Sequence, residues 1–380
     1  MKVTHVLVVG HRRPITRELE RLGHAFSIWS DKKVLVPGKA THVFHQPLDA
    51  KKEDILPHLS QLPPISHVIA GTEAGVFPAS RVRGWLEAHR NPPSAIVRCY
   101  DKLMMKQFLA SKNIPMTKFI PGSKSLDPTE VFETLGRPVI LKQRVSSGGR
   151  GMAKLGNESE LAERLDSRVL LEQEIRGTEG SVESLVFDGE IIFENFTEYL
   201  LIGGCNLVPG HLKPEVKAEA RTLNRAVIKA LQIKWGLTHL EFYETPKGIL
   251  FGEVALRPPG GYLMEAIKLA YGFNPWRALV NVELGKMPEL PPESSRPRYA
   301  ASVIFHPGAG RVKQIEGMQT IQNLPSTKKL RIKVKAGSII PQREGVGQDI
   351  GYLLACSDDA AQLRSDLEKV FDAFRVVMEA

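Results

Sequence analysis

Thr238-His239-Leu240-Glu241-Phe242-Tyr243-Glu244-Thr245-Pro246-Lys247-Gly248, followed after a short apolar run by Glu253-Val254-Ala255-Leu256-Arg257-Pro258-Pro259-Gly260-Gly261, is the stretch whose reading decides the fold. Pro246 and Gly248 stand at hairpin-turn positions between the two runs, which predicts two neighbouring antiparallel strands. Glu241 and Glu253 then come together as a pair of hard oxygen ligands. Mg²⁺ keeps waters and binds through one or two carboxylates plus nucleotide phosphates, so such a pair suits it. Mn²⁺ accepts the same oxygens. Arg257 lies within reach of an anion held by that metal. A surface hairpin with ordinary charges is the competing reading, and the residues upstream weigh against it.

Pro138-Val139-Ile140-Leu141-Lys142-Gln143-Arg144-Val145-Ser146-Ser147-Gly148-Gly149-Arg150-Gly151-Met152 reads as an apolar strand that delivers Lys142 to a phosphate. The small, glycine-rich loop after it lets backbone N–H groups approach phosphate oxygens closely. It is not a Walker A sequence, because the loop follows the lysine instead of preceding it. Further on, Leu170-Leu171-Glu172-Gln173-Glu174-Ile175-Arg176-Gly177-Thr178-Glu179 ends one strand, turns at Gly177 and enters another. Glu172 and Glu179 are expected on opposite sides of that connector, whose backbone suits an adenine and whose carboxylate suits ribose hydroxyls.

Taken in order, these segments resemble the ATP-grasp superfamily of carboxylate–amine ligases. The resemblance runs from about Arg98 to about Lys286 and includes Tyr100-Asp101-Lys102-Leu103-Met104-Met105-Lys106 and Asn113-Ile114-Pro115-Met116-Thr117. It implies that Lys102 and Lys142 bind the α- and β-phosphates and that Ser146 to Gly151, with Ser147, Gly148 and Gly149 at its centre, forms a flexible lid. It puts Glu172 at the adenine end, the backbone of Gln173 and Ile175 on the base, and Glu179 on the ribose. Glu241 and Glu253 match the metal ligands, and Arg257 the arginine that steadies the acyl phosphate and its tetrahedral successor. Glu73, in a Thr72-Glu73 pair similar to one seen in related ligases, is expected beside the substrate with Gly260, Gly261 and His239. His239 shares the strand face of Glu241, and contact with substrate and support from behind are both open for it.

Ala255 departs from the pattern, since most of the superfamily carries Asn there as a further metal ligand. Ala at that place is similar to bacilysin-type L-amino acid ligases, which join two amino acids, and weakens the comparison with D-alanine–D-alanine ligases. Asn206 likewise stands where comparable ligases often place His. The short β runs around Ala300 to Phe305, Pro307 to Val312, Lys333 to Pro341 and Gly351 to Ala355, with an amphipathic helix from about Asp358 to Val370, are similar to the C-terminal domain of the L-amino acid ligases and are expected to cap the ATP-binding core.

The expected fold is therefore α/β. It comprises an N-terminal Rossmann-like domain over 1–97, an ATP-grasp domain over 98–290 with a lid subdomain at about 117–185, and a C-terminal α+β cap over 298–380. Strands at Val3–Val9, Ala25–Trp29 and His67–Gly71 with a helix at Pro14–Leu22 predict a parallel sheet whose ligands sit at its carboxyl ends. Gly10-His11-Arg12-Arg13 lies at one such end without a GxGxxG pattern. The Pro-rich Leu290–Pro297 reads as a linker.

Composition restricts little. The 380 residues are 42% apolar and 24% charged, ordinary for a globular protein. No apolar run approaches membrane-spanning length, and the first strand is too short for a signal peptide. Cys99, Cys205 and Cys356 are isolated, which suits a reducing cytoplasm and no zinc site. The formal charge of +9 is spread out without a nucleic-acid motif, which argues for a solvated surface and an anionic-substrate pocket. The expected cofactors are ATP and Mg²⁺ or Mn²⁺, and the expected partners are a small carboxylate and an amine, with no nucleic acid or membrane; a homodimer is compatible. The expected reaction converts a carboxylate to an acyl phosphate and couples it to an amine, releasing ADP and phosphate. A bicarbonate-activating carboxylase of the same superfamily and a non-catalytic ATP-binding protein are the alternatives.

Overall fold

The computed structural model describes residues 5–379 apart from His89, Glu293 and Val346. The expected strand start at Val3, and Glu293 within the expected linker, lie outside the described residues.

The N-terminal strand His5–Val9 is buried throughout, as expected for a central strand covered on both faces. It pairs in parallel with Phe26–Ser30 on one side and Ile65–Ala70 on the other, and Val43–His45 completes a four-stranded sheet. The strand Val43–His45 and the helix Lys52–Leu59 carry too short a pattern to be legible in sequence. At the carboxyl edge, Gly71 passes so close to Gly10 that a Cβ there would lie 1.8 Å from the Gly10 carbonyl oxygen. Only glycine permits that approach. It brings His11-Arg12 and Thr72-Glu73 to one edge.

A small sheet follows, in the order Phe119–Pro121, Val169–Gln173, Val139–Gln143, Ala153–Leu155. Helices Pro128–Leu135 and Glu158–Arg164 bury Val131, Phe132, Leu135 and Leu161 against it.

The largest sheet has eight strands and runs Gly248–Leu256, Gly236–Thr245, Thr178–Phe187, Glu190–Leu201, Cys205–Val208, Tyr299–Phe305, Gly351–Ser357, Thr327–Ile332. Strand alternation divides its residues. Val182, Val186, Leu240 and Phe242 enter an apolar core with helices Lys102–Ala110 and Pro214–Leu231, whereas Glu179, Ser181, Glu183, His239 and Glu241 occupy the opposite face. Burying the first face fixes the second, because a slip of one residue would exchange them. The C-terminal strands extend this sheet edge to edge, Cys205–Val208 pairing with Tyr299–Phe305, so the cap meets the core through backbone pairing as well as side-chain packing. The last long helix spans Ala360–Ala373, and Asp359 caps it by accepting from the Ala361 N–H. No helix among the described residues is long and apolar enough to cross a membrane.

Candidate active site

Glu241 and Glu253 lie directly opposite each other on antiparallel strands. The register shifts immediately beyond them, leaving Gly252 as the extra residue of a bulge. A Cβ on Gly252 would approach the Glu241 carbonyl oxygen to 3.0 Å, so a glycine is needed where the bulge turns Glu253. The Glu241 side chain is 43% exposed and that of Glu253 25%, so both remain partly open to solvent. Two open carboxylate oxygens match the donor chemistry of a hard divalent cation that takes its remaining ligands from phosphate and water.

Behind Glu241 stands His239. Its Nδ1 lies 2.8 Å from Glu183 Oε1 and its Nε2 3.4 Å from Glu241 Oε1. Burial opposes a charged imidazole here, but hydrogen bonds to Glu183 and Glu241 outweigh it and push the pKa up to about 9. Burial would likewise raise the Glu241 carboxyl; the bond to His239 overrides it and holds the pKa at about 2. Glu183 is fully buried and also accepts from Ser181, Thr197 and Asn195, each at 2.6 Å. His239 thus supports Glu241 from behind, and Ala255 lies across the strand pair from it.

Three lysines pair with carboxylates around the site. Lys102 Nζ sits 3.0 Å from Glu253 Oε1 and donates to the Ser146 carbonyl at 2.7 Å. Asp101 caps the helix that begins at Lys102, accepting from Leu103 and Met104 N–H, and binds Arg144 at 2.6 Å, which anchors that helix to the base of the glycine loop. Lys142 Nζ lies 3.0 Å from Glu172 Oε2. Lys106, one helical turn after Lys102, is 3.2 Å from Glu172 Oε1 and donates to Thr117 at 2.8 Å. Burial alone would raise the Glu172 carboxyl, but Lys106 and then Lys142 hold it low. Burial would lower the Lys142 pKa, and Glu172 keeps it raised instead. The more deeply buried Lys106 is lowered by the same burial despite sharing that carboxylate.

This corrects the expected place of Glu172. It is enclosed between two ammonium groups and does not project from the connector opposite Glu179. The Gln173 N–H is also engaged, donating to the Lys118 carbonyl at 3.0 Å, so the strand pairing uses that group. Ile175 lies in the connector between the strands ending at Gln173 and starting at Thr178. Glu179 is raised by burial and by neighbouring Glu241, with Lys142 opposing, which puts it beside the metal carboxylates.

Gly148, Gly149 and Gly151 all adopt positive φ, and the Ser147 hydroxyl accepts from Arg150 at 2.8 Å. With Glu73, Tyr100 and Gln143 the loop lines an open cleft of about 370 Å³. At the end of the hairpin, Arg257 Nε donates to Glu73, and its Nη1 donates to the Pro258 carbonyl at 3.0 Å. Arg12 donates to the carbonyls of Pro258 and Pro259 and lies 4.7 Å from the Trp276 ring centre. Burial first, then the nearby Arg257, lowers Arg12 to about 10, with Glu265 opposing. Gly261 has φ +63°, and a Cβ on it would lie 3.1 Å from Asn206 Nδ2; a Cβ on Gly260 would meet open space. Asn206 in turn donates to Ser302 at 3.2 Å.

The sequence reading missed Lys106, Glu183 and Arg12 as supports of the site. The i, i+4 spacing from Lys102 and the two-residue period from Glu179 were the available signals for the first two. Arg12 acts on residues 246 positions away, a distance no local pattern reports.

An eight-stranded sheet that carries the opposed Glu241 and Glu253, a small sheet that carries Lys142 and the glycine loop, and Lys102 reaching Glu253 from the start of a helix together make an ATP-grasp arrangement. Residues 107–268 match the ATP-grasp domain model and residues 303–379 match L-amino acid ligase C-terminal domain 2. Among relatives, the L-arginine-specific L-amino acid ligase of Bacillus subtilis is 23% identical over 323 residues, covering 79% of this chain and 77% of that protein. The crystal structure of L-amino acid ligase from Bacillus licheniformis superimposes with TM-score 0.82 at 17% identity over the whole of both chains. N5-carboxyaminoimidazole ribonucleotide synthetase from Thermotoga maritima gives 0.77 at 18%, covering 99% of this chain and 100% of that one. At these identities the structural likeness shows the fold. The chain is an ATP-grasp ligase whose final domain is of the L-amino acid ligase type.

Proposed function

We propose that this protein uses ATP to activate a small carboxylate as an acyl phosphate and couples it to the amine of an amino acid, releasing ADP and phosphate. The observation that carries this reading is the opposed pair Glu241 and Glu253, with Lys102 on Glu253 and Arg257 closing the same strand.

A carboxylate is a poor acyl donor because its leaving group would be oxide. ATP with Mg²⁺ or Mn²⁺ supplies the phosphoryl group and the charge compensation its transfer needs. Glu241 and Glu253 would hold the metal through oxygen, and Lys102 and Lys142 would face the phosphates. In the structure Lys102 and Glu253 neutralise each other, and each would exchange that partner for phosphate and metal. Arg257 presents a planar fork suited to two oxygens of an acyl phosphate. Glu73, bonded to Arg257, lies at the carboxyl edge of the N-terminal sheet, where it can take a substrate ammonium. The loop from Ser146 to Gly151 would exclude water from the activated acyl group.

The match of residues 303–379 to an L-amino acid ligase domain favours amino acids as substrates over bicarbonate. Three free, buried cysteines support a reducing, cytoplasmic setting.

The deciding experiment screens ADP release over amino acids and bicarbonate with product identification. Equal ADP and phosphate with an amide product is expected. AMP and pyrophosphate, or turnover with bicarbonate alone, would overturn the reading.

A further inference from the structure

Among the parts of the C-terminal domain that reach the candidate active site are Arg343–Gly345 and Gly347–Asp349. Arg343 Nη2 donates to the Gly203 carbonyl at 2.8 Å, at the tip of the hairpin between Glu190–Leu201 and Cys205–Val208. Gln348 Oε1 accepts from the Glu344 and Gly345 N–H groups at 2.6 and 3.3 Å, and the Gln348 N–H donates back to the Gly345 carbonyl at 3.2 Å. The stretch is thus tied down internally, with Gly345 at its apex.

Gly345 faces the glycine loop. A Cβ there would lie 2.9 Å from Arg150 Cγ and 3.0 Å from the Gly148 carbonyl oxygen. The second contact is to backbone and cannot be relieved by a side-chain rotation.

Asp349, at the other end of the stretch, is 2.6 Å from Lys333 Nζ, with its side chain only 6% exposed. The Tyr262 hydroxyl donates to Asp349 at 3.2 Å and lies 3.2 Å from Lys333 Nζ. The Tyr262 ring stacks on Tyr352 with centroids 3.9 Å apart. Tyr262 has φ +60°, in the left-handed region that a bulky residue rarely enters. Such strain persists only when the surroundings over-determine it, and it concentrates at functional loops. The strained residue belongs to the Gly260-Gly261-Tyr262 loop that follows Arg257.

We propose that Arg343–Gly345 and Gly347–Asp349 form the far wall of the active site: Gly345 is the seat on which the phosphate lid rests, and Asp349 with Lys333 holds Tyr262 and thereby positions the loop following Arg257. The inference rests on the reading of Ser146–Gly151 as a lid over nucleotide. It makes the C-terminal domain part of the reacting assembly, because Gly345 meets the glycine loop and Asp349 meets the loop that follows Arg257. Gly345, Asp349, Lys333 and Tyr262 are positioning residues in this account.

The test uses the full chain with Mg²⁺ and a non-hydrolysable ATP analogue, followed by hydrogen exchange and calorimetry. Nucleotide should slow exchange at residues 143–154 and at 343–349 together, and Gly345→Val should lose both changes while still binding the analogue. In turnover, Gly345→Val should lower kcat on the order of a hundredfold, the cost of a misplaced closing element, and raise the ADP released per amide formed above one. Asp349→Asn, which keeps the size of the side chain, should raise that ratio in the folded fraction, whatever the melting temperature does. A residue that only stabilised the fold would lower melting and leave the ratio at one. Analogue binding that slows exchange in the lid while 343–349 stays unchanged, or a Gly345→Val enzyme that keeps the ratio at one, would overturn the seat and leave the ATP-dependent reading standing. A folded parent protein that binds no nucleotide would take both down.

Discussion

Two groups of charges stand within reach of Lys142, and they are built oppositely. In the first, Lys106, Glu172 and Lys142 are side chains with 2%, 2% and 14% exposure, and each ammonium is matched to the same carboxylate. In the second, Glu241 and Glu253 stand partly exposed with like charges side by side, contacted by His239 and by Lys102 respectively. A buried charge must be paired where it sits, whereas a charge that is to receive a ligand must keep oxygen facing solvent. The first group is built to hold its charges in place, and the second keeps the open oxygens that the proposed metal site requires.

The largest test of this contrast is Glu253→Gln, with Glu241→Gln beside it. ADP formation should fall by on the order of a thousandfold, with the melting curve unmoved, since these side chains already touch solvent. A folded Glu253→Gln protein that formed ADP at the parental rate would erase the distinction. Next comes Glu172→Gln, which strands Lys106 and Lys142 without a counter-charge. Breaking a buried pair from one side costs about 3–5 kcal/mol, and chemical denaturation should show that loss directly; an unchanged midpoint would mean that the first group is not structural.

Arg257→Lys is the third test, with about 3 kcal/mol at stake, or on the order of a hundredfold in kcat, and little change in ATP affinity. Lysine keeps the charge and loses the fork. Because Arg257 bonds Glu73, a bracing role is a concrete rival. Bracing predicts lower melting with near-normal specific activity, so measuring both on one variant separates the two.

The smallest effect lies away from the cleft. Burial, then neighbouring Arg90, depresses His67 from 6.5 to about 4, and Arg90 Nη2 donates to its Nε2 at 3.1 Å. A histidine with a lowered folded pKa favours the neutral ring. Its contribution is present above pH 6.5 and is lost as pH falls from there toward about 4. His67→Gln should flatten the melting temperature against pH in that window, and an unaltered slope would remove His67 as its source.

Much of this was readable without coordinates because it is local and periodic. Two apolar runs around Pro246 and Gly248 specify a hairpin, and the bulge at Gly252 then sets Glu241 opposite Glu253. The apolar strand before Lys142 and the glycines after it likewise carry their own conformational preferences. The same local logic misplaced Glu172: its strand was found, but its neighbours Lys106 and Thr117 come from elsewhere in the chain and enclose it. The short strand Val43–His45 was missed because three residues offer no period to detect.

What the sequence by itself determined is the order of the segments that resemble a nucleotide site, the hairpin that carries Glu241 and Glu253, and the α/β class, since turn chemistry and alternation act over a few residues. Tertiary structure decided the rest: that Glu172 is enclosed by two lysines, that Glu73 answers Arg257 across 184 positions, and that Gly345 meets the lid loop. Those contacts follow from how sheets and domains pack against one another, and side-chain partners brought together by packing leave no periodic trace in the chain.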